Sequence, residues 1–127
     1  MKLLLDTHIV LWWLGMPERL RPEVHRTIAD SDNLVFFSAV NSWEIAIKVS
    51  LGKLPVLDLE EMHRDLEKDY IRPLPVLPEH TQALVDLPWL HKDPFDRLLL
   101  AQAQHEELTL VTRDEAILAY PVSLLQG

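Results

Sequence analysis

The sequence predicts an α/β fold in which a mainly parallel sheet is covered by helices on both faces. Three observations carry that expectation. Short apolar runs with no polar alternation, Lys2–Asp6 (KLLLD), Leu34–Phe37 (LVFF) and Leu108–Thr112 (LTLVT), read as strands buried on both sides. Segments with helical punctuation separate them, which is the alternation expected of parallel strands joined by crossover helices. The chain has 127 residues, 48% of them hydrophobic, enough for one core and far from the composition of a disordered chain.

In chain order, Lys2–Asp6 is the first strand and Thr7–Leu14 a two-turn apolar helix stopped by Gly15. Pro17–Asp30 reads as one more polar helix, Leu34–Phe37 as the second strand, and Asn41–Leu51 as a helix that ends at Gly52. Asp58–Tyr70 is a charged amphipathic helix. Ile71–Leu77 holds two prolines and so suits only an edge strand. Pro78–Leu87 and Pro94–Glu107 are helices with proline in the first turn. Leu108–Thr112 is a strand, Asp114 opens a short last helix, and a weak final strand falls near Val122–Leu125. No repeat, low-complexity tract or linker interrupts the chain, so residues 1–127 are expected to form a single domain.

Composition excludes several chemistries. There is no cysteine, hence no disulfide, thiolate metal site or thiol nucleophile. Three glycines (15, 52 and 127) leave no phosphate-cradling loop, and no G-x-S-x-G elbow is present. The six histidines show no i, i+4 pairing of the zinc type. Lys2 and the apolar run after it resemble a signal peptide, but Asp6 and His8 interrupt the run. No stretch reaches the ~18 apolar residues of a membrane span, and a cytoplasmic protein is expected. The formal net charge of −8 argues against a non-specific nucleic-acid coat. It suits clustered carboxylates that hold a cation, or a basic partner.

In a parallel sheet, ligands bind beyond the carboxyl ends of the strands. Asp6 closes the first strand there, and the LTLVT strand runs into Thr112-Arg113-Asp114. Glu44 shares a helical row with the apolar Val40, Ile47 and Leu51, which puts it at the rim of a buried face. Asp96 aligns with Leu99, Leu100 and Ala103, whereas Asp93 before Pro94 suits a helix N-cap. Each acid also has a purely structural reading: Asp6 and Asp114 as caps, Glu44 as a surface pair with Lys48, Asp96 as a first-turn acid favoured by the helix dipole. The constellation is what points to function. Several ionised carboxylates crowded together must protonate or bind cations, and hard oxygen donors select Mg²⁺ or Mn²⁺. Arg97, Arg113 and Lys48 stand beside these acids as candidate phosphate contacts, or as their salt-bridge partners. His8 and His91 are further candidate substrate contacts, with plain surface positions as the alternative. Trp12 and Trp13 suit base stacking, core packing or an interface. Asp6-Thr7-His8 faintly resembles the aspartyl-phosphate motif of haloacid-dehalogenase-like phosphatases, but that family has a second Asp where this chain has His8.

LLLDTHIVLWWL, SAVNSWEIAIKVSLGKL, HKDPFDRLLLAQA and LTLVTRDEAI together resemble, in order, the four landmark segments of PIN-domain proteins, most closely the VapC-like toxins of type II toxin–antitoxin systems. The resemblance spans essentially the whole chain. It implies a three-layer α/β/α sandwich around a mainly parallel sheet of four to five strands. It also implies a Mg²⁺- or Mn²⁺-dependent endoribonuclease, a homodimer, and a small cognate antitoxin as partner. By that resemblance Asp6, Glu44 and Asp96 match the family's three principal acids, Asp114 a more variable fourth, and Asp93 and Thr112 supporting positions. Asp58–Tyr70 matches no functional motif, and Pro121 crowds the final strand. A non-toxin RNA-processing PIN nuclease and a non-catalytic partner-binding module are the alternatives.

Overall fold

The computed structural model describes residues 1–55, 57–120 and 123–127. Strands β1 (Lys2–Leu5), β2 (Leu34–Ser38), β3 (Ile71–Leu74), β4 (Thr109–Thr112) and β5 (Leu124–Gln126) form one sheet in the order β3-β2-β1-β4-β5. All four pairings are parallel. Helices α1 (Thr7–Gly15), α2 (Pro22–Ala29), α3 (Ala39–Ser50), α4 (Leu59–Lys68), α5 (Pro78–Ala83), α6 (Pro94–His105) and α7 (Glu115–Leu118) connect them. The expected α/β/α sandwich is the observed one.

The pleat of β1 shows how the layers arise. Leu3 and Leu5 point into a core that includes Ile9, Val10, Val24, Ile28, Met62 and Leu66, drawn from α1, α2 and α4. Leu4, between them, points into a second core with Leu99, Leu100, Ala103 and Ile117 from α6 and α7. All three leucines are fully buried, which is why this run carries no polar alternation. Helix α3 serves both cores, Ile45 in one and Val40 in the other.

From β1 the chain moves outward to β2 and β3, then crosses back to place β4 on the other side of β1. The connections therefore diverge at the carboxyl ends of β1 and β4, the crevice where such sheets bind ligands.

Several boundaries differ from expectation. The single helix predicted over Pro17–Asp30 is a 3₁₀ turn at Pro17–Arg19 followed by α2. Pro22 lacks an N–H and holds Arg21 extended (φ −60°, ψ 137°), which breaks the helix. Helix α3 starts two residues early because Ser38 caps it: its Oγ accepts from Val40 N at 2.9 Å, and Asn41 Oδ1 accepts from Ser38 N at 2.7 Å. The charged helix ends at Lys68, before Tyr70, which adopts a left-handed φ of 60°. Strand β3 lies at the sheet edge as its prolines required, but ends at Leu74. Helix α5 covers only the first half of its predicted range. The last strand is real; Pro121 and Val122 lie outside the described residues. Among the described residues no helix is long and apolar enough to cross a membrane.

Leu4→Ala and Leu5→Ala open cavities on opposite faces of the same strand. Each should cost about 2–5 kcal/mol in chemical denaturation; a cost below about 1 kcal/mol for either would show that its face is not a closed layer.

Candidate active site

Asp6, first residue after β1, has two duties. It caps α1, its Oδ1 accepting from His8 N at 3.1 Å, while Oδ2 accepts from the buried hydroxyl of Thr112 at the end of β4. One threonine thus joins the two central strands at the crevice. Thr112 Oγ1 also accepts from Asp114 N at 3.1 Å and so sets where the chain leaves the sheet. Burial pushes the Asp6 carboxyl above the usual carboxylate range, against the hydrogen bonds from Thr112 and His8.

Glu44 is 5% exposed, on the inner face of α3. Its Oε1 accepts from Thr7 Oγ1 at 2.6 Å and its Oε2 from Lys48 Nζ at 2.8 Å. Asn41 Nδ2 donates to Thr7 Oγ1 at 3.0 Å, completing a buried relay from α3 to α1 and back. The i, i+4 pair with Lys48 exists, but it holds a buried acid rather than decorating a surface. The hydrogen bond to Glu44 is the main cause of the raised pKa of Lys48.

Asp96 stands at the third position of α6, and Asp93 caps that helix through contacts of 2.8 Å to Phe95 N and 3.2 Å to Asp96 N. Its neighbour across the crevice is His91, whose Nε2 lies 2.8 Å from Asp96 Oδ2. Asp96 is pushed up to about 7, chiefly by burial, with the like charges of Asp93, Asp6 and Glu44 adding and the His91 bond opposing. Asp6, Glu44 and Asp96 are thus near enough to disturb one another, as the constellation required. Asp114 is more open. It caps α7 through Ala116 N at 2.9 Å, and its Oδ2 lies 3.7 Å from His91 Nε2.

One expectation needs correction, that for Arg97. Arg97 is 5% exposed and turned into the protein, its guanidinium donating to Pro88 O at 2.8 Å and Leu87 O at 3.3 Å and stacking 3.7 Å over Trp89. Arg113 donates to Gly127 O at 2.7 Å and to Arg19 O, and stacks 4.6 Å over Trp12. Arg97 thus spends its donors inside the protein, whereas Arg113 is exposed and stays a candidate phosphate contact. Lys48 contacts Glu44. Trp12 and Trp13 pack against the first core. Thr7, Asn41 and Tyr120 carried no signal in the sequence, because each acts on a residue distant in the chain.

The donor set fits a divalent cation. Three buried carboxylates lie within electrostatic reach of one another, two have pKa values raised chiefly by burial with neighbouring charges adding, and one lysine contacts Glu44, so negative charge is left over for a hard cation to neutralise.

Residues 3–122 match the PIN-domain family. The chain belongs to it. Among relatives, Ribonuclease VapC22 of Mycobacterium tuberculosis is 29% identical over 120 residues, covering 90% of this chain and 88% of that protein. Among solved structures, VapBC2 from Rickettsia felis bound to a promoter DNA fragment aligns with a TM-score of 0.72 at 18% identity, covering 98% of both chains. FitAcB from Neisseria gonorrhoeae aligns with a TM-score of 0.60 at 22% identity, over 98% of this chain and 96% of that one. At these identities the structures speak for the PIN fold, and the acids speak for themselves.

The raised Asp96 pKa has a signed consequence. Between its ordinary value of 3.8 and about 7, the folded protein keeps a proton that the unfolded chain has lost. Metal-free stability should therefore fall as pH rises through that window, with Asp6 shifting it the same way. Thermal midpoints measured without metal should show this slope, and Asp96→Asn should flatten it; an unchanged slope in that variant would contradict the assignment.

Proposed function

We propose that this PIN-domain protein is a divalent-metal-dependent endoribonuclease, the toxin component of a toxin–antitoxin pair acting in the cytoplasm. The observation that carries this reading is the grouping of Asp6, Glu44 and Asp96 at the sheet's switch point, with Asp6 and Asp96 raised in pKa chiefly by burial and further by neighbouring carboxylates. The name of the VapC22 relative supports RNA as substrate. The structural neighbours are named as VapBC and FitAB assemblies, which supports a protein partner, and the net charge of −8 suits a basic segment of that partner. A homodimer is the assembly implied by the family.

Asp6, Glu44 and Asp96 are the residues that would hold Mg²⁺ or Mn²⁺, with Asp114 at the open side. Bound there, the cation supplies an activated water and neutralises charge on the phosphodiester. The chain's own residues do the rest. Thr112 and Thr7 hold the carboxylates of Asp6 and Glu44 in fixed orientations, and α1, α3 and α6 close the crevice from three sides. Lys48 limits repulsion within the cluster and, with Arg113, is a candidate phosphate contact. No nucleophilic side chain is required.

Asp6→Asn and Asp96→Asn keep the shape of the site and remove charge. Each should lower Mn²⁺-dependent cleavage of single-stranded RNA by more than about a hundredfold, beyond what loss of an outer-shell partner costs. Full cleavage by both variants, or hydrolysis of small phosphate esters in preference to RNA, would overturn the proposal.

Induced expression in a bacterial host should arrest growth, and Asp96→Asn should relieve the arrest. Unimpaired growth alongside active RNA cleavage in vitro would make the protein a processing nuclease instead.

A further inference from the structure

Asp96 sits in the first turn of α6 and Asp114 follows β4, yet one imidazole reaches both. His91 Nε2 is 2.8 Å from Asp96 Oδ2 and 3.7 Å from Asp114 Oδ2. When Asp96 is ionised, as a cation ligand must be, this nitrogen is the donor. His91 belongs to the irregular segment between α5 and α6, where no helix or strand fixes its backbone.

Two buried side chains supply what secondary structure does not. The hydroxyl of Tyr120, a residue 3% exposed, accepts from His91 N at 2.8 Å and Leu90 N at 3.1 Å. Arg97 Nη1 donates to the same hydroxyl at 3.2 Å and to Pro88 O at 2.8 Å, while Nη2 donates to Leu87 O at 3.3 Å. Every one of these contacts falls on residues 87–91 or on the hydroxyl that holds them. Arg97 follows Asp96 directly on α6, so the clamp and the acid it serves are built on one rigid element.

We propose that His91 is a positioning residue for the metal site, fixed by the Arg97–Tyr120 clamp. Its N–H holds Asp96 Oδ2 and leaves Oδ1, which takes no part in that bond, for the cation, and its reach to Asp114 keeps that more exposed acid beside the site. The proposal rests on the reading that Asp96 holds a divalent ion. The competing arrangement makes His91 itself a ligand with Asp93 and Asp96, since one donor atom from each lies within 4.8 Å of the others. The 2.8 Å contact of His91 with Asp96 Oδ2 and its 3.7 Å approach to Asp114 Oδ2 turn the ring nitrogen onto carboxylate oxygens, which favours positioning, and nitrogen coupling to bound Mn²⁺ separates the two arrangements.

Mn²⁺ binding to the full chain, followed by electron paramagnetic resonance, tests this without reference to cleavage. His91→Ala should weaken Mn²⁺ affinity about 10–100-fold, the usual effect of losing an outer-shell partner. His91→Gln, whose amide N–H can reach the same oxygen, should recover part of that loss. Tyr120→Phe keeps the ring in the core and should weaken affinity about tenfold by releasing the segment. Lower thermal midpoints with unchanged Mn²⁺ affinity in all three variants would reduce His91 and Tyr120 to structural parts and overturn the proposal. Nitrogen coupling to bound Mn²⁺ that vanishes in His91→Ala would also overturn it, in favour of direct ligation. If the wild-type protein takes up no Mn²⁺, the reading of Asp96 fails, and this inference with it; intact wild-type binding that is unaltered in His91→Ala defeats this inference alone.

Discussion

The structure turns on keeping three carboxylates out of water at the carboxyl edge of a parallel sheet. A bare buried carboxylate is costly, and three of them together cost more than three apart. Much of the polar interior follows from this. Thr112 hydrogen-bonds Asp6, Thr7 hydrogen-bonds Glu44, Asn41 supports Thr7, and Lys48 and His91 face the outer oxygens. The raised pKa values of Asp6 and Asp96 show that these partners do not fully compensate. The site is held in place by the two apolar layers, not by its own contacts, and a resident cation would relieve the imbalance.

The polar chain continues away from the crevice. Ser38 Oγ, which caps α3, also donates to Gln102 Oε1 at 2.6 Å, and Gln102 Nε2 reaches Pro75 O at 3.2 Å and His80 Nδ1 at 3.3 Å. His80 is fully buried, and its Nε2 meets Glu106 at 3.1 Å. Through these contacts the helix that carries Glu44 is registered against the one that carries Asp96. Among the described residues no buried side-chain donor or acceptor is left without a partner.

Much of this was legible in the sequence, for reasons specific to each part. Runs such as LLL and LTLV announce themselves because burial on both faces removes polar alternation, and Asp6 stands out as the first charge after one of them. Asp93-Pro94 marks a helix start by local chemistry alone. The contacts that organise the site are of another kind. Thr7 meets Glu44 across 37 residues and Thr112 meets Asp6 across 106, and no local pattern encodes either meeting. Arg97 was misplaced by proximity in sequence: standing next to an acid in the chain does not mean facing the same way. The break before Pro22 was legible in principle, since proline restrains the residue before it, but the amphipathic pattern on either side outweighed it.

The acids that define the crevice come from four separated segments, and Thr112 and Asp114 follow Asp6, Glu44 and Asp96 in the chain. Synthesis runs from the amino terminus, so a nascent chain holding Asp6, Glu44 and even Asp96 still lacks β4, the strand that seats Asp6. Without β4 there is no switch point and no enclosed cluster. Whatever chemistry the crevice has therefore waits for the segment from Thr109 to Asp114, however much of the preceding chain is already made.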